Sequence, residues 1–234
     1  MSATQNPPGT GTRHITVHRI GREGQPLVVI DDFAADPDIL RSAAIATVFG
    51  AATQHYPGVR APLPEPYLPA QLAILSGILG SVFARSGAVE TIDASFSMVT
   101  TPPADLAVRQ RLPHCDAFGA DRIALVHYLS PAGGDGTAFF RHRSTGFETI
   151  DEGRAPIFFG QLDAELRYGA MPPAAYVTGD TPLFERTAMI EARYNRAVIY
   201  PSYLLHSGAI SADALLSADP AVGRLTVTAF LSVG

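Results

Sequence analysis

The chain predicts a mainly β fold with flanking helices. The specific expectation is a double-stranded β-helix (jelly roll) with N-terminal helices packed on one sheet. Three observations lead there. From residue 90 onward, short runs alternate apolar and polar residues with period two, separated by Pro, Gly and Asp. Helical spacing is clear only twice, both times before residue 86. No linker-like stretch divides the strand runs, so 13–234 is expected to form a single domain with an insertion at about 144–190.

Taken in order, residues 1–12 (MSATQNPPGTGT) read as a flexible tail with no positive or apolar leader character. Residues 13–33 (HITVHRI, then PLVVIDDF) read as one or two strands. Asp36 is placed to cap a helix with Pro37 in its first turn. Leu40, Ala43, Ala44, Thr47 and Val48 form its expected buried stripe, and Gly50 its stop. Residues 55–69 are proline-rich and expected to be irregular. A second helix is expected over about 69–85, burying Leu72, Leu75, Leu79, Val82 and Phe83. Strand-like runs follow: ETIDASFSMVTTP, VRQRLPHCDAF, RIALVHYLS, GTAFFRHR, NRAVIYPS, LLHSGAI and GRLTVTAFLSV. Residues 144–190 are mixed, with short helices expected.

Composition excludes much. The 234 residues carry 17 basic groups, all Arg, against 22 acidic ones, for a net charge of −5. A chain without Lys has no P-loop, kinase or Schiff-base lysine. The acidic balance argues against nucleic acid as partner. One cysteine, Cys115, allows neither an intrachain disulfide nor a cysteine-rich zinc site. No apolar run reaches the roughly 20 residues that span a bilayer, so no membrane partner is expected. The expected compartment is a reducing cytoplasm, and a homodimer is the base-rate expectation for assembly. Neither His-Glu-x-x-His nor Gly-x-Ser-x-Gly occurs, which disfavours the hydrolases those motifs mark.

Three constellations carry chemistry. In a strand, His114 and Asp116 would share one face, with Cys115 pointing away; alone, the trio reads more readily as a polar strand end at a turn. His206 lies at another strand end. Two His and one carboxylate on one face of an ion form the facial triad of non-haem Fe(II) oxygenases, which leaves three positions open. Arg224 and Thr226 share a face of the last run, and a guanidinium fork suits a carboxylate; a paired or solvated edge arginine is the bland alternative. His127, in an apolar strand, reads as structural, and Cys115 as a small buried hydrophobe. His14, His18 and His55 take no assignment.

In this order of His114-x-Asp116, His206 and Arg224, the chain resembles the Fe(II)- and 2-oxoglutarate-dependent dioxygenases. Further motifs are similar to their prolyl-hydroxylase-like branch. These are Val28-Val29-Ile30-Asp31-Asp32-Phe33 before a helix and Tyr56-Pro57-Gly58 with Arg60. His127-Tyr128-Leu129-Ser130 with Gly133-Gly134 and Gly136-Thr137 follows the same branch, as does Tyr200-Pro201-Ser202 ahead of His206. Ser130 stands where the branch has Asn, and the interval between His206 and Arg224 is lengthened by SADALLSADPA. The resemblance implies Fe(II) bound by His114, Asp116 and His206. It implies 2-oxoglutarate held through its distal carboxylate by Arg224, with Thr226 or Tyr128. It implies hydroxylation of a peptide side chain or small metabolite. Arg141, His142, Tyr56 and Arg60 are the candidates for the substrate mouth, with solvated or structural roles as the alternative. Two rival readings stay open: a non-catalytic jelly-roll binding protein, and a cupin-like metal protein that does not use 2-oxoglutarate.

Overall fold

A computed structural model describes residues 13–52, 56–132, 134–169 and 171–234; the tail expected over 1–12, His55 and Gly133 lie outside them. Its strands are β1 His14–Ile20, β2 Gln25–Asp31, β3 Gly50–Ala51, β4 Gly58–Pro62, β5 Val89–Val99, β6 Arg122–Tyr128, β7 Gly136–His142, β8 Phe184–Glu191, β9 Arg196–Pro201, β10 His206–Ala209 and β11 Leu225–Val233. Its helices are α1 Pro37–Ile45, α2 Tyr67–Phe83 and α3 Ala155–Tyr168. Eight strands form one sheet in the order β1-β2-β9-β6-β11-β5-β4-β3, and β10-β7-β8 form a second. Every pairing is antiparallel.

The period-two pattern sorts side chains between layers. In β11, Leu225, Val227, Ala229 and Leu231 join a core shared with Leu40 and Ala44 of α1 and Leu75, Ile78 and Leu79 of α2. The two N-terminal helices thus cover the outer face of the large sheet. On its inner face, Tyr128, Val198 and Tyr200 meet Phe139 of the small sheet. A third core, with Phe140, Phe158, Leu162 and Phe184, seats α3 on the outer face of the small sheet. Each fully buried Leu or Phe contributes roughly 1.5–3 kcal/mol by leaving water.

Several boundaries differ from expectation. Asp36 does cap α1, accepting from the Ile39 amide at 3.1 Å. But the helix stops at Ile45, Val48 is 88% exposed, and Gly50 opens β3 instead of closing the helix. Leu72 is likewise 36% exposed, and Ile78 takes the buried place. Within the proline-rich stretch, Gly58–Pro62 pairs with β5. Gly58 makes that possible, because a Cβ there would stand 1.9 Å from the Met98 carbonyl oxygen. The run at 108–118 is not a strand: Val108–Arg111 is a 3-10 turn, followed by a single bridge between His114 and His206. The mixed region 144–190 holds one 14-residue helix, α3, and its end becomes β8 of the small sheet.

Candidate functional site

The backbone sets the site. His114 and His206 face each other in an isolated antiparallel bridge. Each donates its amide to the other's carbonyl, at 2.9 and 2.8 Å. Directly opposed residues in such a pair project to the same face. The Asp116 amide donates to the Ser202 carbonyl at 2.8 Å, which holds the next turn of chain against the segment leading to His206. Three residues from two distant parts of the chain are thereby brought together.

Their donor atoms all lie within 4.8 Å of one another. The imidazole centroids are 4.5 Å apart. Asp116 Oδ1 lies 3.6 Å from His114 Nε2, and Oδ2 lies 3.4 Å from His206 Nε2. Ligand atoms about 2.1 Å from one ion and at right angles to each other stand about 3 Å apart, so modest closure would let all three reach a single cation. The His206 ring is buried between Tyr200, at 4.9 Å, and Phe139, at 6.4 Å. Its Nδ1–H donates to the Leu204 carbonyl at 2.9 Å, which leaves the Nε2 lone pair facing Asp116 and His114. His114 has its side chain 55% exposed and forms the open side.

Arg224 lies one residue ahead of β11 and at the edge of the same inter-sheet layer. Its Nη2 donates to the Gly136 carbonyl at 2.9 Å, and its guanidinium carbon stands 5.8 Å from the Tyr128 ring centre. Its Nε is buried without a hydrogen-bond partner. The ion pairs among the described residues do not include it. Burial pushes the Tyr128 hydroxyl above its usual range, opposed first by the Arg224 charge. Tyr56 and Tyr176 are pushed up by burial too, and the same charge opposes both shifts. An uncompensated cation beside Tyr128, whose charge also reaches the Tyr56 and Tyr176 hydroxyls, favours an anion. Tyr128 shares one core with Phe139 and Tyr200, whose rings flank His206, so the Arg224 end and His206 adjoin one core.

The other expected residues fall out differently. The Thr226 hydroxyl donates to the Ser97 carbonyl at 3.1 Å, and the Tyr128 hydroxyl bonds Thr137 at 2.7 Å. Arg141 is buried, not at a mouth, and pairs with Glu185 directly across the β7–β8 ladder. His142 is fully buried between Phe158 and Phe184, with Glu165 at 2.8 Å and Thr145 at 2.9 Å. Both side chains point away from solvent because strand β7 is covered on its two faces. Tyr56 and Arg60 stay together, guanidinium over ring at 4.7 Å, with Arg60 also 3.3 Å from Asp93. His127 is fully buried and clamped by Tyr67 at 2.9 Å and Asn195 at 3.0 Å. Cys115 packs against the α3 core, and burial pushes its thiol up to about 12. The roles of the Leu204 carbonyl, the Gly136 carbonyl and Tyr176 had no sequence signal: two are backbone atoms, and the third comes from a region without a motif.

The fold and site define an antiparallel β protein with a His–Asp–His cluster and a nearby uncompensated arginine. Residues 12–231 match the Family of unknown function (DUF6445), and the chain belongs to it. No curated protein matches the chain. Among solved structures it is similar to the non-heme alpha ketoglutarate dependent epimerase SnoN from nogalamycin biosynthesis (10% identity, 88% of this chain, 77% of that one, TM-score 0.44). It is similar to AviO1 from Streptomyces viridochromogenes Tue57 (11%, 86% of each chain, 0.43). It is also similar to an N-substituted L-amino acid dioxygenase from Burkholderia ambifaria AMMD (13%, 94% of each chain, 0.42). These overlaps are loose.

Proposed function

We propose that the protein is an Fe(II)- and 2-oxoglutarate-dependent oxygenase that hydroxylates a small metabolite or peptide side chain. The observation that carries this reading is the convergence of His114, Asp116 and His206 to within 4.8 Å, with Arg224 uncompensated in the adjoining layer. The donor set fits iron: two neutral imidazole nitrogens and one carboxylate oxygen, which leave a +2 ion with net positive charge. The orphan Nε of Arg224 fits a carboxylate, whose two oxygens suit the guanidinium fork. In this reading His114, Asp116 and His206 hold the ion, and Arg224 holds the distal carboxylate of 2-oxoglutarate beside Tyr128. Thr226 lines the same face with its proton given to Ser97, so its oxygen is left as an acceptor.

Bound iron with 2-oxoglutarate supplies the oxidising power by which O₂ hydroxylates a C–H bond. The chain's own contribution is positioning. The Leu204 carbonyl fixes the His206 tautomer, Tyr200 and Phe139 keep water from its flank, and the His114–His206 bridge holds the imidazoles in register. We also read the two facing sheets as a double-stranded β-helix and 13–234 as one domain; the inclusion of β8 in the small sheet supports both. Placement in the prolyl-hydroxylase-like branch is supported by sequence motifs alone, those around β2, Tyr56, Tyr128 with the glycines after it, and Tyr200.

The test is anaerobic titration with Fe(II) and 2-oxoglutarate, following the weak visible band of the chelate. Wild type should develop the band, His114→Ala and Asp116→Ala should abolish it, and Arg224→Ala should weaken it. Iron binding without a band would favour the cupin-like reading. Failure to bind iron would overturn the proposal.

A further inference from the structure

A cavity of about 750 Å³ lies between α3 and the segment 171–184. That size suits a ligand pocket, typically about 300–1,000 Å³. Two of its wall residues tie it to the site. Pro113 is bonded to His114, and Tyr176 is close enough to Arg224 for its hydroxyl to feel that charge. Most of the lining is apolar, with Leu112, Met171, Val177 and Phe184 among it.

The charged residues in the wall are engaged elsewhere. Arg111 donates from Nε and Nη2 to the Leu106 carbonyl, at 3.0 and 2.7 Å, and from Nη1 to the Pro172 carbonyl at 3.4 Å. Glu165 takes hydrogen bonds from His142, Gln161 and Ser144. Asp180 accepts from the Arg186 amide at 2.8 Å and faces Arg143 at 3.3 Å. An anionic ligand would have to lose water without gaining a cationic partner, and that is costly. A neutral apolar ligand meets no such penalty. We propose that this cavity binds a neutral, largely apolar small molecule; resting on the oxygenase reading above, that molecule is the body of the substrate, which makes the substrate a metabolite and not a peptide.

The test needs no metal, so its failure and that of the metal reading are separable. Metal-free protein is titrated with the neutral fluorophore N-phenyl-1-naphthylamine and with its anionic relative 1-anilinonaphthalene-8-sulfonate. The neutral probe should bind at least about tenfold more tightly. Ala164→Phe, which fills the cavity from α3, should weaken it at least about tenfold. Ile157→Phe, on the same helix but outside the wall and 58% exposed, should leave it unchanged. Thr178→Phe, from the facing segment, is the second filling variant should Ala164→Phe not fold. Equal or tighter binding of the sulfonate, or neutral binding indifferent to a filling variant, would overturn the proposal. Probe binding in a protein that forms no iron chelate would overturn the assignment of this ligand as the substrate and leave the cavity's preference for neutral apolar molecules standing.

Discussion

His114 and His206 each donate an amide to the other's carbonyl, so a single β-bridge places two imidazoles with their centroids 4.5 Å apart. The pair is asymmetric. His206 is buried, ring-flanked and oriented through Nδ1, whereas the His114 side chain is more than half exposed. Preorganisation of one ligand and access on the side of the other suit an ion that must also take small molecules.

Divalent-ion affinity should follow that asymmetry. Losing an outer-shell partner of a metal ligand typically costs 10–100-fold, and loss of a ligand itself costs more. His206→Ala should therefore lower Co(II) affinity by more than about 100-fold, and by more than His114→Ala does. Calorimetric titration with Co(II) measures both; equal losses would contradict the preorganisation assigned to His206.

Gly136 links the small sheet to Arg224. Its φ of +148° disfavours other residues, and a Cβ would stand 2.0 Å from the Ile190 carbonyl oxygen, yet its own carbonyl holds Arg224. Gly136→Ala should cost about 1–3 kcal/mol of stability. It should also weaken 2-oxoglutarate binding on the order of tenfold, equivalent to about 1.4 kcal/mol. Thermal unfolding and titration of the chelate band against 2-oxoglutarate check the two effects.

His127 should make the protein acid-sensitive. Burial lowers its pKa from 6.5 to about 4, opposed by the hydrogen bond with Asn195. Between these values the unfolded chain binds a proton that the native chain refuses, so stability falls as pH drops from 6.5 towards 4. The contribution lost between pH 7 and pH 5 is about 2 kcal/mol. His127→Gln should remove that part of the pH dependence, measured by urea unfolding at the two pH values.

The Arg196–Asp31 pair ties β9 to β2. Two nitrogens of the largely buried Arg196 reach Asp31 at 2.6 and 3.0 Å. The hydrogen bonds from Arg196 hold the Asp31 carboxyl below its usual 3.8, so its stabilising contribution is present above that value and lost as pH falls through the lower native one. Asp31→Asn should cost about 1–3 kcal/mol, because a hydrogen-bonded charge is replaced and Arg196 stays in place. Unfolding at pH 7 should register the loss, which should shrink as the pH falls below 3.8.

Much of the fold was legible. Period-two runs marked β5, β6, β7, β9, β10 and β11, and Asp36-Pro37 marked the start of α1. Misreadings came where local pattern met a tertiary constraint. Gly58–Pro62 pairs as a strand because its one proline, Pro62, stands at the strand's end and Gly58 admits the contact with Met98. Residues 108–118 look like a strand, but the chain tightens into a 3-10 turn and keeps only one bridge. Arg141 and His142 looked like mouth residues because they follow a glycine turn. Cross-strand pairing with Glu185 and coverage by α3 took them inside.

The sequence by itself determined the residue types and their order: one His-x-Asp, a later His, then Arg, in a chain without Lys or a second Cys. Those properties are local, and period two translates them directly into faces. Only the tertiary structure decided that His114 and His206 are bridge partners, that Leu204 and Gly136 supply the carbonyls that orient His206 and Arg224, and that the Tyr176 hydroxyl lies within reach of the Arg224 charge. Pairing register and backbone carbonyl direction arise from the packing of distant segments. No residue's identity encodes them.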